Sequence, residues 1–231
     1  MPRQARIDIA GVPLHITQRG VNRCAVFIDD DDRQYYLGLL EHYALRFGLG
    51  IHAYVLMGNH IHLLASSERA GTASTVLKRV NLNYVAAFNR RHGRTGTLWE
   101  GRFRSCLVDS DSYILTVYRY IDLNPVRAAI TEKPDDYPWS SASFNLGLNA
   151  STLLTPHTTF LALASEPDAY RHWLYSGVSE AELVAIRLHT KQERAYGDRR
   201  FQAMVEKALG RPVAARPPCR PRKENTRHVD N

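Results

Sequence analysis

Two short apolar runs, residues 51–57 and 60–65, are separated only by Gly58 and Asn59. This spacing constrains the fold more than any other feature of the chain. Two residues cannot bridge parallel strands, which need a long crossover, so the runs must pair as an antiparallel hairpin. Glycine and asparagine both tolerate positive φ, which a tight two-residue turn favours. Upstream, the alternation in Leu14-His15-Ile16-Thr17-Gln18-Arg19 predicts a strand closed by Gly20. Residues 32–46 predict a helix with Tyr36, Leu39, Leu40 and Tyr43 on one face, ended by Phe47-Gly48. Residues 72–91 predict a second, with Val76, Val80, Tyr84 and Phe88 at four-residue spacing. A Gly-rich basic loop (92–97) and a strand (104–108) follow. Ser110 or Asp111 would then cap a helix running through Tyr113, Val117 and Ile121. Pro125 disfavours helical geometry at Asn124, which places Asn124 in or just after the last turn. The order strand, helix, strand, strand, helix, strand is the split βαβ pattern. It predicts an α+β fold, a ferredoxin-like antiparallel sheet with helices on one face.

Beyond about residue 131 the periodicity fades. Residues 135–141 predict an ordered loop strapped onto the domain, and 151–178 give weak helical signals. Ser179 and Glu182 are spaced as a capping box. Phe201, Met204, Val205 and Leu209 predict a last amphipathic helix closed by Gly210. The expected organisation is a domain over 1–145, a helical C-terminal extension over 146–210, and a basic tail over 211–231 too poor in apolar residues to pack. No apolar run reaches the length of about 18 residues needed to span a membrane. Cys24, Cys106 and Cys219 are far apart, odd in number and fit no zinc spacing, so a reducing, cytoplasmic setting is expected.

The net charge is +7, and its excess is clustered. Lys78, Arg79, Arg90, Arg91, Arg94, Arg102 and Arg104 face a single acid, Glu100, within residues 78–104. Arg211, Arg216, Arg220, Arg222, Lys223 and Arg227 crowd the tail, and the one acidic run is Asp29 to Asp32. Such clusters are either solvated helix faces or a phosphate-contacting surface. Tyr84, Trp99 and Phe103 lie among the first group, where they could stack unpaired bases or simply fill a core.

His60-Ile61-His62 carries the chemistry. On a strand, residues i and i+2 face one side, so both imidazoles point the same way and can take adjacent positions on a divalent cation. Tyr120 and Asn124, four apart on a helix, share a face. The asparagine offers a neutral oxygen as a third ligand, and the tyrosine a nucleophile beside it. Tyr113 and Tyr118 lie on the same predicted helix. Residue pattern alone leaves all three tyrosines open, with Asn124 favouring Tyr120.

Four motifs occur in order: Gly58-Asn59-His60-Ile61-His62-Leu63-Leu64; Leu98-Trp99-Glu100-Gly101-Arg102-Phe103; Tyr120-Ile121-Asp122-Leu123-Asn124-Pro125-Val126-Arg127-Ala128; and Tyr137-Pro138-Trp139-Ser140-Ser141. Together they resemble the REP-associated tyrosine transposases of bacteria, single-tyrosine members of the HUH (His-hydrophobic-His) endonuclease superfamily. The resemblance covers about residues 10–145, and less firmly the C-terminal third through Gly197-Asp198-Arg199-Arg200-Phe201. It departs at Gly58, where the family usually has proline.

The resemblance implies a metal-dependent nicking and joining enzyme acting on single-stranded DNA beside palindromic hairpins, through a 5′-phosphotyrosine. His60 and His62 match the metal ligands, Asn124 the residue completing that site, and Tyr120 the nucleophile. The metal would be Mg²⁺ or Mn²⁺. A free phenol has a pKa of about 10, so a nearby cation must favour its deprotonation. Arg90, Arg91, Arg94, Arg102 and Arg104 are the candidates for the hairpin backbone, with Arg127 beyond the helix. Extended members can act as monomers with the tyrosine in cis, and a monomer is the expectation here. A DNA-binding protein on the same fold without chemistry is the second reading; the complete set of four site residues argues against it.

Overall fold

The computed structural model describes residues 6–109, 113–166 and 168–216. Strand β1 (Leu14–Arg19) leads through a short 3-10 turn to helix α1 (Asp30–Phe47). Strands β2 (Gly50–Met57) and β3 (His60–Ser66) form the hairpin, followed by α2 (Thr72–Arg91) and β4 (Arg104–Leu107). One sheet results, in the order β2-β3-β1-β4 and antiparallel throughout. This is the α+β, ferredoxin-like arrangement that the element order predicts.

Helix α1 starts two residues earlier than its apolar pattern suggests. The Asp29 carboxylate accepts from the Asp32 N–H, and Asp30 to Asp32 load the first turn with negative charge. Both effects favour a helix N-terminus. Gly48 closes the helix at φ 72°.

The hairpin turn differs from expectation. Neither Gly58 nor Asn59 has positive φ among the described residues. The turn is pinned from outside instead: Gly58 O accepts from Val26 N–H, Asn59 O from Gly20 N–H, and Asn59 Nδ2 donates to Arg23 O. The segment after β1 therefore sets its geometry. A Cβ on Gly58 would meet nothing within 4 Å, so a larger residue is tolerated there.

The sheet is covered on both faces, not one. Leu14, Ile16, Ile61 and Leu63 pack on one side with Tyr36 and Leu40 of α1 and Val76, Val80, Tyr84 and Phe88 of α2. The opposite side carries Val55, Met57, Leu64 and Cys106, packed by α3 (Ile114–Asp122) and the extension. Every residue of β2 after Gly50 is buried, because both faces have partners. Asn124 lies just after the last turn of α3, whose C-cap is Leu123. It opens the next short helix, α4 (Asn124–Arg127), with Pro125 in the first turn, where its missing N–H costs nothing. The proposed caps Ser110 and Asp111 lie outside the described residues.

After α5 (Ala142–Asn145) come α6 (Thr158–Ala164), α7 (Ala169–Tyr175), α8 (Glu180–Gln192) and α9 (Arg199–Leu209). The strap at 137–141 runs along the open edge of β2: Leu56 N–H donates to Trp139 O, Ser141 N–H to Tyr54 O, and the Tyr137 hydroxyl to Leu56 O. The Ser179–Glu182 capping box opens α8 as expected. Residues 146–210 build no separate core. Tyr196 N–H donates to Leu107 O alongside β4, and Leu183 and Ile186 share the sheet's second core. The first six residues of the basic tail also depart from expectation, because they pack. Val213 is fully buried, its carbonyl accepts from Ala195 N–H, and Arg216 exchanges two hydrogen bonds with the Gln192 side chain. One apolar residue with paired backbone groups is enough to hold this stretch. The rest of the tail lies outside the described residues.

Candidate active site

The antiparallel register builds the site floor. On the α3 side of the sheet, His62 stands opposite Thr17 of β1 and Val55 of β2, and His60 opposite Arg19 and Met57. The two imidazole rings lie 5.2 Å apart between centroids, nearly perpendicular at 86°. Helix α3 carries Tyr120 over them, its ring 5.4 Å from that of His62. Asn124 lies four residues on. All four line one cavity of about 780 Å³.

The three candidate tyrosines separate by environment. Tyr118 is fully buried, stacks on Phe160 and accepts from His157 N–H. Tyr113 packs edge-on against Tyr196. Only Tyr120 of the three lines the cavity, and its hydroxyl has no hydrogen-bond partner among the described residues.

Each histidine is oriented through its Nδ1. His60 Nδ1 donates to Asn59 Oδ1 at 2.6 Å, and the Asn59 amide is fixed by its own donation to Arg23 O. His62 Nδ1 lies 2.9 Å from Nε2 of His15, whose Nδ1 lies 3.0 Å from Thr190 Oγ1 on α8. Among the described residues, Nε2 of both His60 and His62 lacks a hydrogen-bond partner. Burial, aided by the charge of Arg19, lowers the His60 pKa to about 4. Burial, together with His15, His60 and nearby arginines, holds His62 well below its ordinary range. Both rings are therefore neutral at pH 7, the form that ligates a metal.

The donor set fits a divalent cation that arrives with an anionic phosphate. It offers two neutral imidazoles and the Asn124 amide, whose Oδ1 would be the ligand and whose buried Nδ2 no hydrogen bond holds in place. Among the described residues no three or more His, Cys, Asp or Glu are placed to hold a metal ion by themselves, so the cation's remaining charge and ligands would come from substrate and water.

The cavity wall is cationic. The sheet and its loops contribute Arg19, Arg23, Arg102 and Arg104, α4 contributes Arg127, and α8 contributes Arg187 and Lys191; Glu100 is the one carboxylate. The Arg127 guanidinium sits 4.5 Å from the Tyr120 ring centroid and donates to Tyr120 O. Thus three of the six arginines singled out in the sequence, Arg102, Arg104 and Arg127, reach the cavity. The other three do not line it. Arg91 is held by Asp29, Asp31 and Asp32 at 2.7, 2.8 and 2.8 Å. Arg94 lies over the Phe88 ring, and Arg90 is exposed at the end of α2. Tyr84, Trp99 and Phe103 are buried in the first core, which excludes the base-stacking reading.

Sequence reasoning missed the site roles of His15, Asn59, Arg19 and Arg23, and that the capped helix after Ser179, α8, reaches the cavity. The alternation of β1 does put His15 and Thr17 on one face, but only the β1–β3 register brings that face to the histidine pair. Nothing in the local sequence of Arg187, Thr190 and Lys191 ties them to a site.

The fold and this cavity define a class: a split-βαβ antiparallel sheet bearing a paired histidine and a helix-borne tyrosine in one basic cavity. The model of the family described as "Transposase IS200 like" matches residues 9–124, half of the chain, and the chain belongs to that family. Among solved structures, a REP-associated tyrosine transposase bound to a REP hairpin superposes with a TM-score of 0.54 at 19% identity, covering 68% of this chain and 93% of that one. A putative transposase from Deinococcus radiodurans gives a TM-score of 0.35 at 16% identity, over 53% of this chain and 95% of that one. No curated protein sequence matches the chain. No helix among the described residues is long and apolar enough to cross a membrane.

Proposed function

We propose that this chain cuts and rejoins single-stranded DNA beside a palindromic hairpin, through a covalent 5′-phosphotyrosine on Tyr120. The observation that carries the proposal is the meeting of the Tyr120 ring, His60, His62 and Asn124 in one cation-lined cavity. Hairpin DNA as the partner follows from family membership and from the hairpin held by the structural neighbour.

His60, His62 and Asn124 would hold Mg²⁺ or Mn²⁺. When bound, the ion supplies Lewis acidity at a non-bridging phosphate oxygen. The Tyr120 oxygen attacks phosphorus in line with the 3′-oxygen. The new O–P bond forms as the P–O3′ bond breaks, the phenol gives up its proton, and the 3′-oxygen leaves as a hydroxyl. The phosphodiester energy is kept in the tyrosyl ester, ready for a second strand end. Arg127, lying against the Tyr120 ring, fixes its orientation and places positive charge beside the developing anion. Arg102, Arg104, Arg187 and Lys191, all lining the cavity and with Arg104 donating to Lys191 O, grip the flanking phosphates. Tyr120 and the histidines belong to one chain, which favours a monomer working in cis.

The test is a denaturing gel with labelled hairpin oligonucleotides and Mn²⁺ or Mg²⁺. Wild type should give a covalent protein–DNA band that disappears in Tyr120→Phe and with EDTA, while hairpin binding persists. Binding without any adduct would favour the non-catalytic reading. An adduct surviving in Tyr120→Phe would move the nucleophile elsewhere.

A further inference from the structure

A line of hydrogen bonds runs from the extension to the histidine pair. Thr190 Oγ1 of α8 lies 3.4 Å from Cys106 Sγ and 3.0 Å from His15 Nδ1, and His15 Nε2 lies 2.9 Å from His62 Nδ1. The His15 and His62 rings stack at 5.1 Å with a 17° tilt, and all four side chains are buried.

Two neutral imidazoles carry one N–H each, so the line has two polarities. In one, His62 Nδ1–H donates to His15 Nε2, His15 Nδ1–H donates to Thr190 Oγ1, and the Thr190 hydroxyl turns to Cys106 Sγ. His62 then shows the cavity a lone pair on Nε2. In the other, the Thr190 hydroxyl donates to His15 Nδ1, His15 Nε2–H donates to His62 Nδ1, and His62 shows the cavity an N–H. The cavity holds seven cationic side chains against one carboxylate. A lone pair facing that field lies lower in energy than an N–H dipole.

We infer that His15 and Thr190 are positioning residues that lock His62 in its Nδ1–H tautomer, so that helix α8 of the extension determines which ring nitrogen His62 offers to a cation. This rests on the proposed cation site, but the tautomer itself exists without a metal. Thr190 lies beyond the residues 9–124 that the family model matches, so the lock is supplied by the extension.

The experiment compares full-length wild type, Thr190→Val, Thr190→Ser, His15→Leu and His15→Gln. Side-chain ¹H–¹⁵N spectra of the metal-free proteins read the protonated nitrogen of His62, Mn²⁺ titration followed by EPR reads affinity, and thermal melts confirm folding. Valine matches threonine in shape but leaves His15 Nδ1–H unpaired, which favours the opposite polarity. Wild type should be protonated at His62 Nδ1. Thr190→Val should move protonation toward Nε2 and weaken Mn²⁺ binding about 10–100-fold, as loss of a group supporting a metal ligand does. Thr190→Ser should restore both. His15→Gln, whose amide can accept from His62 and donate to Thr190, should bind Mn²⁺ more tightly than His15→Leu. Protonation of His62 at Nε2 in wild type overturns the inference, as does a folded Thr190→Val with unchanged tautomer and affinity. If wild type binds no Mn²⁺ yet shows the Thr190-dependent tautomer, the metal reading fails and the lock stands.

Discussion

The cationic wall makes a quantitative prediction about which arginines carry phosphate contacts. Seven cations line the cavity, two of them, Arg187 and Lys191, on α8. Each single-strand phosphate contact contributes about 0.7 to the slope of log affinity against log salt, so seven contacts give a slope near −5. Raising salt from about 50 to about 200 mM then weakens binding roughly 10³-fold. Removing Arg187 and Lys191 together should lower the slope magnitude by about 1.4, so the same salt step costs only about 10²-fold. The assay is fluorescence anisotropy of a hairpin with a single-stranded flank, in a Tyr120→Phe background that prevents cutting. Arg90→Ala with Arg94→Ala should leave the slope unchanged, because neither side chain lines the cavity. Arg91→Ala should lower the melting temperature at an unchanged slope, since that guanidinium is committed to Asp29, Asp31 and Asp32. If the Arg90/Arg94 pair lowered the slope while the Arg187/Lys191 pair did not, the DNA path would run over the end of α2 and the argument from the cavity would be refuted.

Three further outcomes follow from the same geometry. With Tyr120 and the histidines in cis, mixing Tyr120→Phe with His62→Ala should not restore adduct formation in the gel assay; recovered activity would show exchange of the tyrosine helix between chains. Asp122 is fully buried and accepts from Ser141, Asn145 and Tyr170, so Asp122→Ala strands three donors and should cost about 3–5 kcal/mol in urea melts. Acidification should destabilise the metal-free fold. Burial lowers His15 to about 3, and His52 and His60 to about 4, so the unfolded chain takes up protons below the ordinary 6.5 that the folded chain refuses. Their contribution is complete above 6.5 and is lost as pH falls toward those folded values. Asp122, raised by burial to about 6, acts in the opposite sense between 3.8 and 6, but it is one group against three. Going from pH 7.5 to 5.5 should remove about 1–3 kcal/mol, and a flat profile would contradict the neutral, buried histidines.

What could be read in the sequence was whatever is encoded locally. The βαββαβ order emerged because each element carries its own period and punctuation: Gly58-Asn59 between apolar runs, Gly48 after α1, the Ser179–Glu182 box before α8. The His60–His62 pair was equally local, since strand geometry alone aligns i and i+2. Arg91 shows where this stops. Its acidic partners were visible as a run, but Asp29 lies 62 residues away, and only the packing of α1 on α2 joins them. Seen along the chain, Arg91 is one more cation in a basic stretch; in the fold it is neutralised.

The extension was underestimated for a related reason. Helix α3 covers the β2–β3 half of its sheet face, and α8 covers β1 and β4. Without α8, His15 and Cys106, each 1% exposed, would face water. The Thr190–His15–His62 line would then lose its terminus, and solvent would solvate either tautomer of His62. The same helix turns Arg187 and Lys191 into the cavity, because positions i, i+3 and i+4 share a face with Thr190. One helix thus closes the second core, ends the hydrogen-bond line and supplies part of the cationic wall. Its own sequence announces only a helix opened by a capping box, because each of these roles depends on a partner more than eighty residues earlier in the chain.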